Sequence, residues 1–383
     1  MNFKSIRMIP FAVALSVGLF SVHHSSSAEA TDKVNSPEFK KKMQGLYQSL
    51  TELLNDVYSE HQFYDKKNAS RIEKEINAIS SFAHQISPTT QGDPSLPLFA
   101  GLLADQTKEA YRTFHAGQRD YARSILRAVP TYCLACHSRN ATGPDFASLT
   151  LEPTSILKPL EKAEFYAATR QFDRAISAFQ NLNQITNPYD IEKSIQEALL
   201  IAVRFKRDPK LALSIIQNAL SNPHAPEFMK SDLNHWKKSV EDWSAETPRT
   251  AATEEGLHAE ALRLIAKARE EQTYSLDHAA DITYLRASTL LYDLLQLAPN
   301  GKFSADALLL EGMCYEVLNP RKMENLNNIY YEACIKQAPH SSTAQSCYRR
   351  YEQSIYFAFS GSSGTHLPEE MKEKLLKLWG LAN

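Results

Sequence analysis

Apolar side chains recur every three or four residues along four stretches between residues 36 and 137. The first stretch begins at Ser36-Pro37, a helix N-cap followed by proline at the first helical position, and reaches about Tyr64. Its apolar stripe consists of Phe39, Met43, Leu46, Leu50, Leu53 and Val57. The other stretches cover about 68–86, 96–115 and 118–137. This period predicts four amphipathic helices, and the Pro and Gly residues at 87–94 predict a loop after the second.

The pattern changes after a proline-containing link at 151–155, where pairs of helices follow at repeating intervals. The clearest unit has small and aromatic residues at Ala163, Tyr166, Phe172, Ala175, Phe179 and Pro188. It resembles a tetratricopeptide repeat, and a weaker unit follows at 190–223. Later units end at Pro299 and Pro339, and the segment near the carboxyl end predicts a capping helix. The resemblance implies an α-solenoid of divergent repeats whose curved surface binds a protein partner.

Composition favours an all-α fold, because only 12 of the 383 residues are glycine and residues with high helix propensity are frequent. The formal net charge is −2, and no polybasic patch stands out, which argues against a nucleic-acid partner. The sequence shows no paired carboxylates, no nucleophile with a base and no phosphate loop. We therefore predict a protein that is not an enzyme.

The amino terminus has the pattern of a secretory signal peptide over residues 1–30. Lys4 and Arg7 precede an apolar run at 8–22, and the segment ends in Ala28-Glu29-Ala30. That run is too short to span a bilayer comfortably, and no later stretch predicts a membrane helix. We expect cleavage before Thr31, a soluble mature chain and a periplasmic location. The predicted domains are then a first helical domain at 36–148 and a repeat domain at 156–383.

The end of the fourth predicted helix carries Cys133-Leu134-Ala135-Cys136-His137, the C-x-x-C-H attachment signature of a c-type haem. Two thiols three residues apart on a helical turn can each form a thioether with a haem vinyl group. His137 then supplies an imidazole as the proximal iron ligand. A redox dithiol would sit in a βαβ pattern and a zinc ribbon needs a second ligand pair, and the sequence shows neither. The sequence therefore predicts one covalent haem c.

Four helices with C-x-x-C-H at the end of the last resemble the cytochrome c′ and cytochrome c-556 family. The resemblance implies a haem inside an antiparallel four-helix bundle, with a methionine early in the first helix as the second axial ligand in six-coordinate members. Met43 occupies that place. It could instead be a core residue, with His61, His84 or His115 as the sixth ligand, or the iron could be five-coordinate as in gas-binding cytochromes c′. Members of this family often dimerise through their bundle helices, so a homodimer is also open.

Two features depart from that family. Pro130 lies three residues before Cys133, where a helix kink or restart is expected. Gly143-Pro144 resembles the segment after the motif in class I cytochromes c, where the proline carbonyl accepts a hydrogen bond from the proximal imidazole; it could equally be a plain turn. Class I proteins need a downstream methionine, and no Met occurs between Cys136 and Met229. The bundle therefore remains the favoured fold.

Two further groups of residues carry predictions. We expect four aromatic residues to pack on the macrocycle or in the helix core, namely Tyr111, Phe114, Tyr121 and Tyr132. Cys334 and Cys347 flank the turn at Pro339 at near-mirror positions on two helices, which predicts a disulfide in an oxidising compartment. Cys314 would then remain buried and free.

The function predicted from these patterns is that of a periplasmic monohaem cytochrome c that carries single electrons. The repeats would dock it to a periplasmic redox or envelope protein. One alternative keeps the haem as a five-coordinate gas binder or sensor. Another makes the chain a repeat scaffold with a structural haem.

Overall fold

The computed structural model of the protein describes residues 37–86, 94, 96–138, 157–181, 186–246, 253–274, 277–318 and 326–383. This part of the chain is almost entirely helical, and its strands are a two-residue hairpin, Ser360–Gly361 with Gly364–Thr365. The all-α prediction is therefore confirmed. The predicted signal peptide, the loop at 87–93, the Gly143-Pro144 segment and the link at 151–155 lie outside the described residues.

Four long helices follow the four predicted stretches. They are α1 (Pro37–Tyr58), α3 (Ala69–Ile86), α4 (Leu96–His115) and α5 (Arg119–His137). The first stretch does not continue to Tyr64 as one helix. It breaks at Ser59, whose hydroxyl accepts a hydrogen bond from the Gln62 amide (3.3 Å) and caps the short helix α2 (Glu60–Tyr64).

These four helices contact one another in a closed ring. Helix α1 packs against α3, α3 against α4, α4 against α5, and α5 returns to α1. Arg71 of α3 donates to Asp56 of α1 (2.7 Å), and Arg123 of α5 donates to the carbonyl of Val57 (2.7 Å). The residues that form the apolar stripes of these four helices are buried.

Helix α5 runs without interruption through Pro130, so the predicted restart does not occur. A proline removes the amide that would bond to the carbonyl four residues earlier, at Leu126, and strains the turn. Leu126, Val129 and Pro130 are all buried, and their packing holds the helix together across this position. The last turn of α5 therefore projects the C-x-x-C-H residues from a continuous helix.

The rest of the described chain consists of further helices, most of which pack against the next. They are α6 (Pro159–Ala168), α7 (Phe172–Gln180), α8 (Pro188–Leu200, continued by a π-helical turn at Ile201–Lys206), α9 (Pro209–Leu220), α10 (Glu227–Ala245), α11 (Glu254–Glu271), α12 (Asp281–Leu297), α13 (Ser304–Val317), α14 (Leu326–Gln337), α15 (Ser342–Ala358) and α16 (Glu369–Ala382). None of the helices in the described ranges is both long and apolar enough to cross a membrane.

The turn between α4 and α5 has the same backbone form as the turn between α6 and α7. Gly117 and Arg170 have positive φ angles of 81° and 60°. In both turns the amide of the following glutamine, Gln118 or Gln171, donates to the carbonyl five residues earlier (2.9 and 2.8 Å). The helix pair that bears the haem motif is thus closed in the same way as the first predicted repeat pair.

The two predicted domains share one core. Buried apolar residues from α1 to α16 form a single connected cluster. Tyr47 of α1 contacts Phe165 of α6 (ring centroids 6.1 Å apart), and Phe99 of α4 contacts Tyr330 of α14 (5.8 Å). The later helices therefore return to the first four rather than extending away from them.

The cysteines near the carboxyl end are arranged as the sequence analysis expected. A disulfide joins Cys334 of α14 to Cys347 of α15, with their Cα atoms 6.3 Å apart. Cys314 of α13 is a free thiol and is fully buried. The helix expected near the carboxyl end is α16, and two of its large apolar side chains, Leu376 and Trp379, are exposed.

Candidate functional site

The C-x-x-C-H residues share one face of the last turns of α5. Cys133 is followed by Cys136 and His137, three and four residues later, so all three side chains leave the helix on the same side. This motif face continues the buried stripe formed by Leu126 and Val129. Cys133 is a buried free thiol, and burial raises its pKa to about 12. Cys136 and His137 are partly exposed.

A backbone carbonyl fixes the imidazole of His137. The Nδ1 atom lies 2.6 Å from the carbonyl oxygen of Ala168, the last residue of α6. Because a carbonyl oxygen only accepts, Nδ1 carries the hydrogen and donates, which leaves Nε2 with its lone pair. Burial, together with the neighbouring guanidinium of Arg170, lowers the pKa of His137 to about 4. The ring is therefore neutral and in the tautomer that a proximal iron ligand requires.

Arg170 ties the end of α5 to the turn between α6 and α7. Its Nη1 donates to the carbonyl of His137 (3.0 Å), one of the helix-terminal carbonyls that lack an intrahelical partner. Its guanidinium lies 5.7 Å from the ring centre of Phe172 and 5.5 Å from that of Phe205. The first predicted repeat pair therefore holds both the imidazole and the backbone of His137.

This contact replaces the one suggested by the resemblance to class I cytochromes c. There the acceptor for the imidazole would be the carbonyl of Pro144, which lies outside the described residues. Here the acceptor is Ala168, 31 residues after the histidine. No signal in the sequence could have identified it, because any residue type offers a backbone carbonyl and only the packing of α6 against α5 brings this one close.

Met43 lies on the buried side of α1 and is 8% exposed. The chain from α1 into α2 runs antiparallel to α5, since Arg127 lies over the ring of Tyr58 in α1 (5.3 Å) and Arg119 donates to the carbonyl of Tyr64 in α2 (3.0 Å). Tyr58 and Arg127 lie at the same level of the two helices. From that level, Met43 is 15 residues along α1 and His137 is 10 residues along α5, in the same direction. At about 1.5 Å per residue, Met43 therefore lies roughly 7 Å farther along the helix axis than His137. Met43 and the motif therefore occupy the same end of the helix ring.

The three histidines considered as alternative ligands are all exposed. His61 and His115 lie towards the other end of the ring, near the turn that precedes α5, and His115 approaches Glu73 (3.3 Å). His84 is on α3, the helix that packs beside α1, but its side chain is on the exposed face. Among the four candidates, Met43 has the buried position.

The four aromatic residues are not grouped around the motif. Phe114 packs on Phe63 (5.3 Å), and Tyr111 stacks on His115 (6.0 Å), both at the end of the ring away from the motif. Tyr121 is 55% exposed near the start of α5. Tyr132 is buried and adjoins Cys133 in the sequence. Of the two positions expected for these residues, Phe114 has the one in the helix core, Tyr121 is on the surface, and Tyr132 is the one that lies beside the motif.

Buried charges cross from the first helices to α6 and α8. The Tyr58 hydroxyl donates to Glu164 (3.0 Å), and Lys193 of α8 pairs with the same carboxylate. Arg127 of α5 lies 3.3 Å from Glu161. Burial raises the pKa of Tyr58 well above its ordinary value, so its hydroxyl remains a donor. Such pairs are costly to bury unless their geometry is satisfied, and they therefore fix the orientation of α6 and α8 against α1 and α5.

Within the described ranges, no group of three or more His, Cys, Asp or Glu side chains lies close enough to hold a metal ion by itself. The candidate chemistry of the site thus rests on the two cysteines, His137 and Met43. Comparison of the chain with models of protein families, with curated proteins and with solved structures finds no match.

Proposed function

We propose that the chain is a periplasmic monohaem cytochrome c that carries single electrons. In this proposal α1, α3, α4 and α5 form a four-helix haem bundle, and the helices from α6 onwards form an α-solenoid of tetratricopeptide-like repeats. The closed ring of contacts among the first four helices supports the bundle. The successive helix pairs and the repeated turn form support the repeats.

The observation that carries the proposal is the hydrogen bond from His137 Nδ1 to the Ala168 carbonyl. It leaves Nε2 of a neutral imidazole as the available ligand atom on the same face as two cysteines with the spacing of a haem attachment motif. Cys133 and Cys136 would hold the haem by thioethers, His137 would be the proximal iron ligand, and Met43 would be the second axial ligand. When bound, this group supplies a one-electron couple whose ferrous form is favoured by histidine and methionine ligation.

The residues of the chain keep that ligand set rigid. Ala168 holds the tautomer and orientation of the His137 ring, and Arg170 holds the backbone that carries it. A fixed ligand set lowers the rearrangement that accompanies gain or loss of an electron.

The repeats are the proposed docking part. Helix α6 contacts the motif directly, so a partner bound to the first repeat pair would lie close to the haem. The Cys334–Cys347 disulfide supports an oxidising compartment such as the periplasm. We propose a redox or envelope protein as the partner.

Visible spectra of the reduced and oxidised protein, with a pyridine haemochrome assay, test the proposal on full-length chain made with a haem-attachment system. We expect a c-type haemochrome and a low-spin reduced spectrum. A high-spin spectrum with rapid carbon monoxide binding would replace electron transfer by gas binding or sensing. Absence of covalent haem would overturn the proposal and leave a repeat scaffold.

A further inference from the structure

A cavity of about 170 Å³ lies behind the helix that bears the haem motif. Thr131, Leu134 and Ala135 of α5 line one side of it. At about 100° per residue, these three point away from the motif face on which Cys133 and His137 lie. The opposite walls come from α8, α10, α12, α13 and the start of α14. The cavity therefore lies between α5 and the later helices, is partly open to solvent, and is on the opposite face of α5 from Cys133 and His137.

The walls of the cavity are mainly apolar and aromatic. Trp236 of α10 is buried, and its indole N–H donates to the carbonyl of His278 (2.6 Å), which fixes the plane of the ring. Ile282 of α12 and Tyr315 of α13 are also buried. The volume is similar to that of an engineered apolar cavity of about 150 Å³ that admits benzene. There is room for a molecule with one ring or a short branched chain.

The charges on the walls are unbalanced. Four carboxyl groups line the cavity, and they belong to Asp190, Glu192, Glu197 and Asp281. The basic side chains on the same walls are Lys193 and His278. Lys193 pairs with Glu164, which is not a lining residue, and lies 3.5 Å from the lining Glu197, while His278 Nδ1 lies 3.1 Å from Asp281. Even with both basic side chains charged, the four carboxyl groups outnumber them. The lining is therefore negative overall.

Holding carboxylates next to apolar walls costs free energy of desolvation, and a positive charge close to the carboxylates lowers that cost. An aromatic ring such as that of Trp236 also attracts organic cations. We propose that this cavity binds a small organic cation with an apolar body, a primary amine or a quaternary ammonium compound. Anions are excluded by the carboxylates. The proposal does not depend on the haem, although the bound molecule would touch the helical turn that carries it.

The test is isothermal titration calorimetry on the haem-loaded full chain at about pH 7.5. Burial raises the pKa of Asp281 to about 6, so its carboxyl group is ionised at that pH. Three probes of one shape separate charge from size: phenethylamine is cationic, 2-phenylethanol is neutral and 3-phenylpropionate is anionic. We expect phenethylamine to bind at least about tenfold more tightly than 2-phenylethanol, as one charge-assisted hydrogen bond would give. We expect no detectable binding of 3-phenylpropionate.

Two variants locate the site. Asp281→Asn should weaken phenethylamine binding by about tenfold or more and leave 2-phenylethanol unchanged. Leu285→Trp, which fills the cavity, should abolish the binding of both. The matched control is Asp306→Asn, which breaks the His258–Asp306 pair of the same helix stack at a place that does not line the cavity. It should change neither affinity.

Equal affinity for the three probes, or no binding of phenethylamine, would overturn the proposal. So would unchanged phenethylamine affinity in a folded Asp281→Asn protein. Should Asp281→Asn fail to fold, Glu197→Gln removes a second lining carboxylate, and an unchanged affinity in that variant has the same meaning.

Discussion

Met43→Leu separates the two roles open to the buried methionine of α1. Leucine has nearly the same volume and apolar character as methionine, so it preserves the packing at this position. It lacks the thioether sulfur, which is the atom that would bind iron. A change in the spin state and potential of the iron, with the fold unchanged, would therefore assign Met43 as an iron ligand.

The expected magnitudes follow from the burial of Met43, which is 8% exposed. A volume-conserving exchange at a buried site costs less than about 1.5 kcal/mol of unfolding free energy, whereas truncation to alanine costs about 2–5 kcal/mol. Axial ligands set haem potentials over a range of about 0.8 V. Loss of the thioether should lower the potential by on the order of 0.1 V or more, because methionine ligation favours the ferrous state.

The assays are chemical denaturation, visible spectroscopy and potentiometry on the wild-type, Met43→Leu and His84→Ala proteins. We expect Met43→Leu to lose the methionine-to-iron charge-transfer band, to become high-spin and to bind carbon monoxide when reduced. His84→Ala should match the wild type, because its side chain is on the exposed face of α3. A low-spin Met43→Leu protein with the wild-type potential would refute the ligand assignment.

Three further predictions concern the helices from α12 to α15. Gly312→Ala should lower the unfolding free energy by about 1–3 kcal/mol in a urea melt, because a Cβ there would overlap the buried Tyr331 ring; the control Gly101→Ala meets no atom and should be neutral or stabilising. Replacing Cys334 and Cys347 by serine should cost about 3 kcal/mol, as expected for a loop closed over 13 residues, and reduction should then have no further effect. Burial raises the pKa of Asp281 to about 6, so its protonated form favours the folded state. The protonated carboxyl should contribute at most about 3 kcal/mol to the unfolding free energy, and this contribution should be lost as the pH rises from 4 to 7. The same pH series of urea melts on Asp281→Asn should lack this fall in stability.

The long helices of the first domain could be predicted because their period is local. Three of the four predicted stretches agree with α3, α4 and α5 within a residue or so at each end. The break at Ser59 was missed, since an apolar stripe continues across it and only the capping geometry ends α1. Of the kink or restart expected at Pro130, the restart does not occur, because the packing of buried neighbours keeps α5 helical across this position.

The all-α class, most limits of the long helices before residue 138 and the spacing of Cys133, Cys136 and His137 could be read from the amino-acid sequence, because these features depend on neighbours within a few residues. The surroundings of these residues depend on the packing of distant helices. The Ala168 carbonyl that orients His137 and the cavity behind α5 each join segments more than 30 residues apart. A backbone carbonyl is the same in every residue type, so the sequence does not mark it. A cavity between helices exists only after distant helices have packed. Short-range patterns therefore predicted the C-x-x-C-H motif and the helix that bears it, and long-range packing decided which groups lie around them.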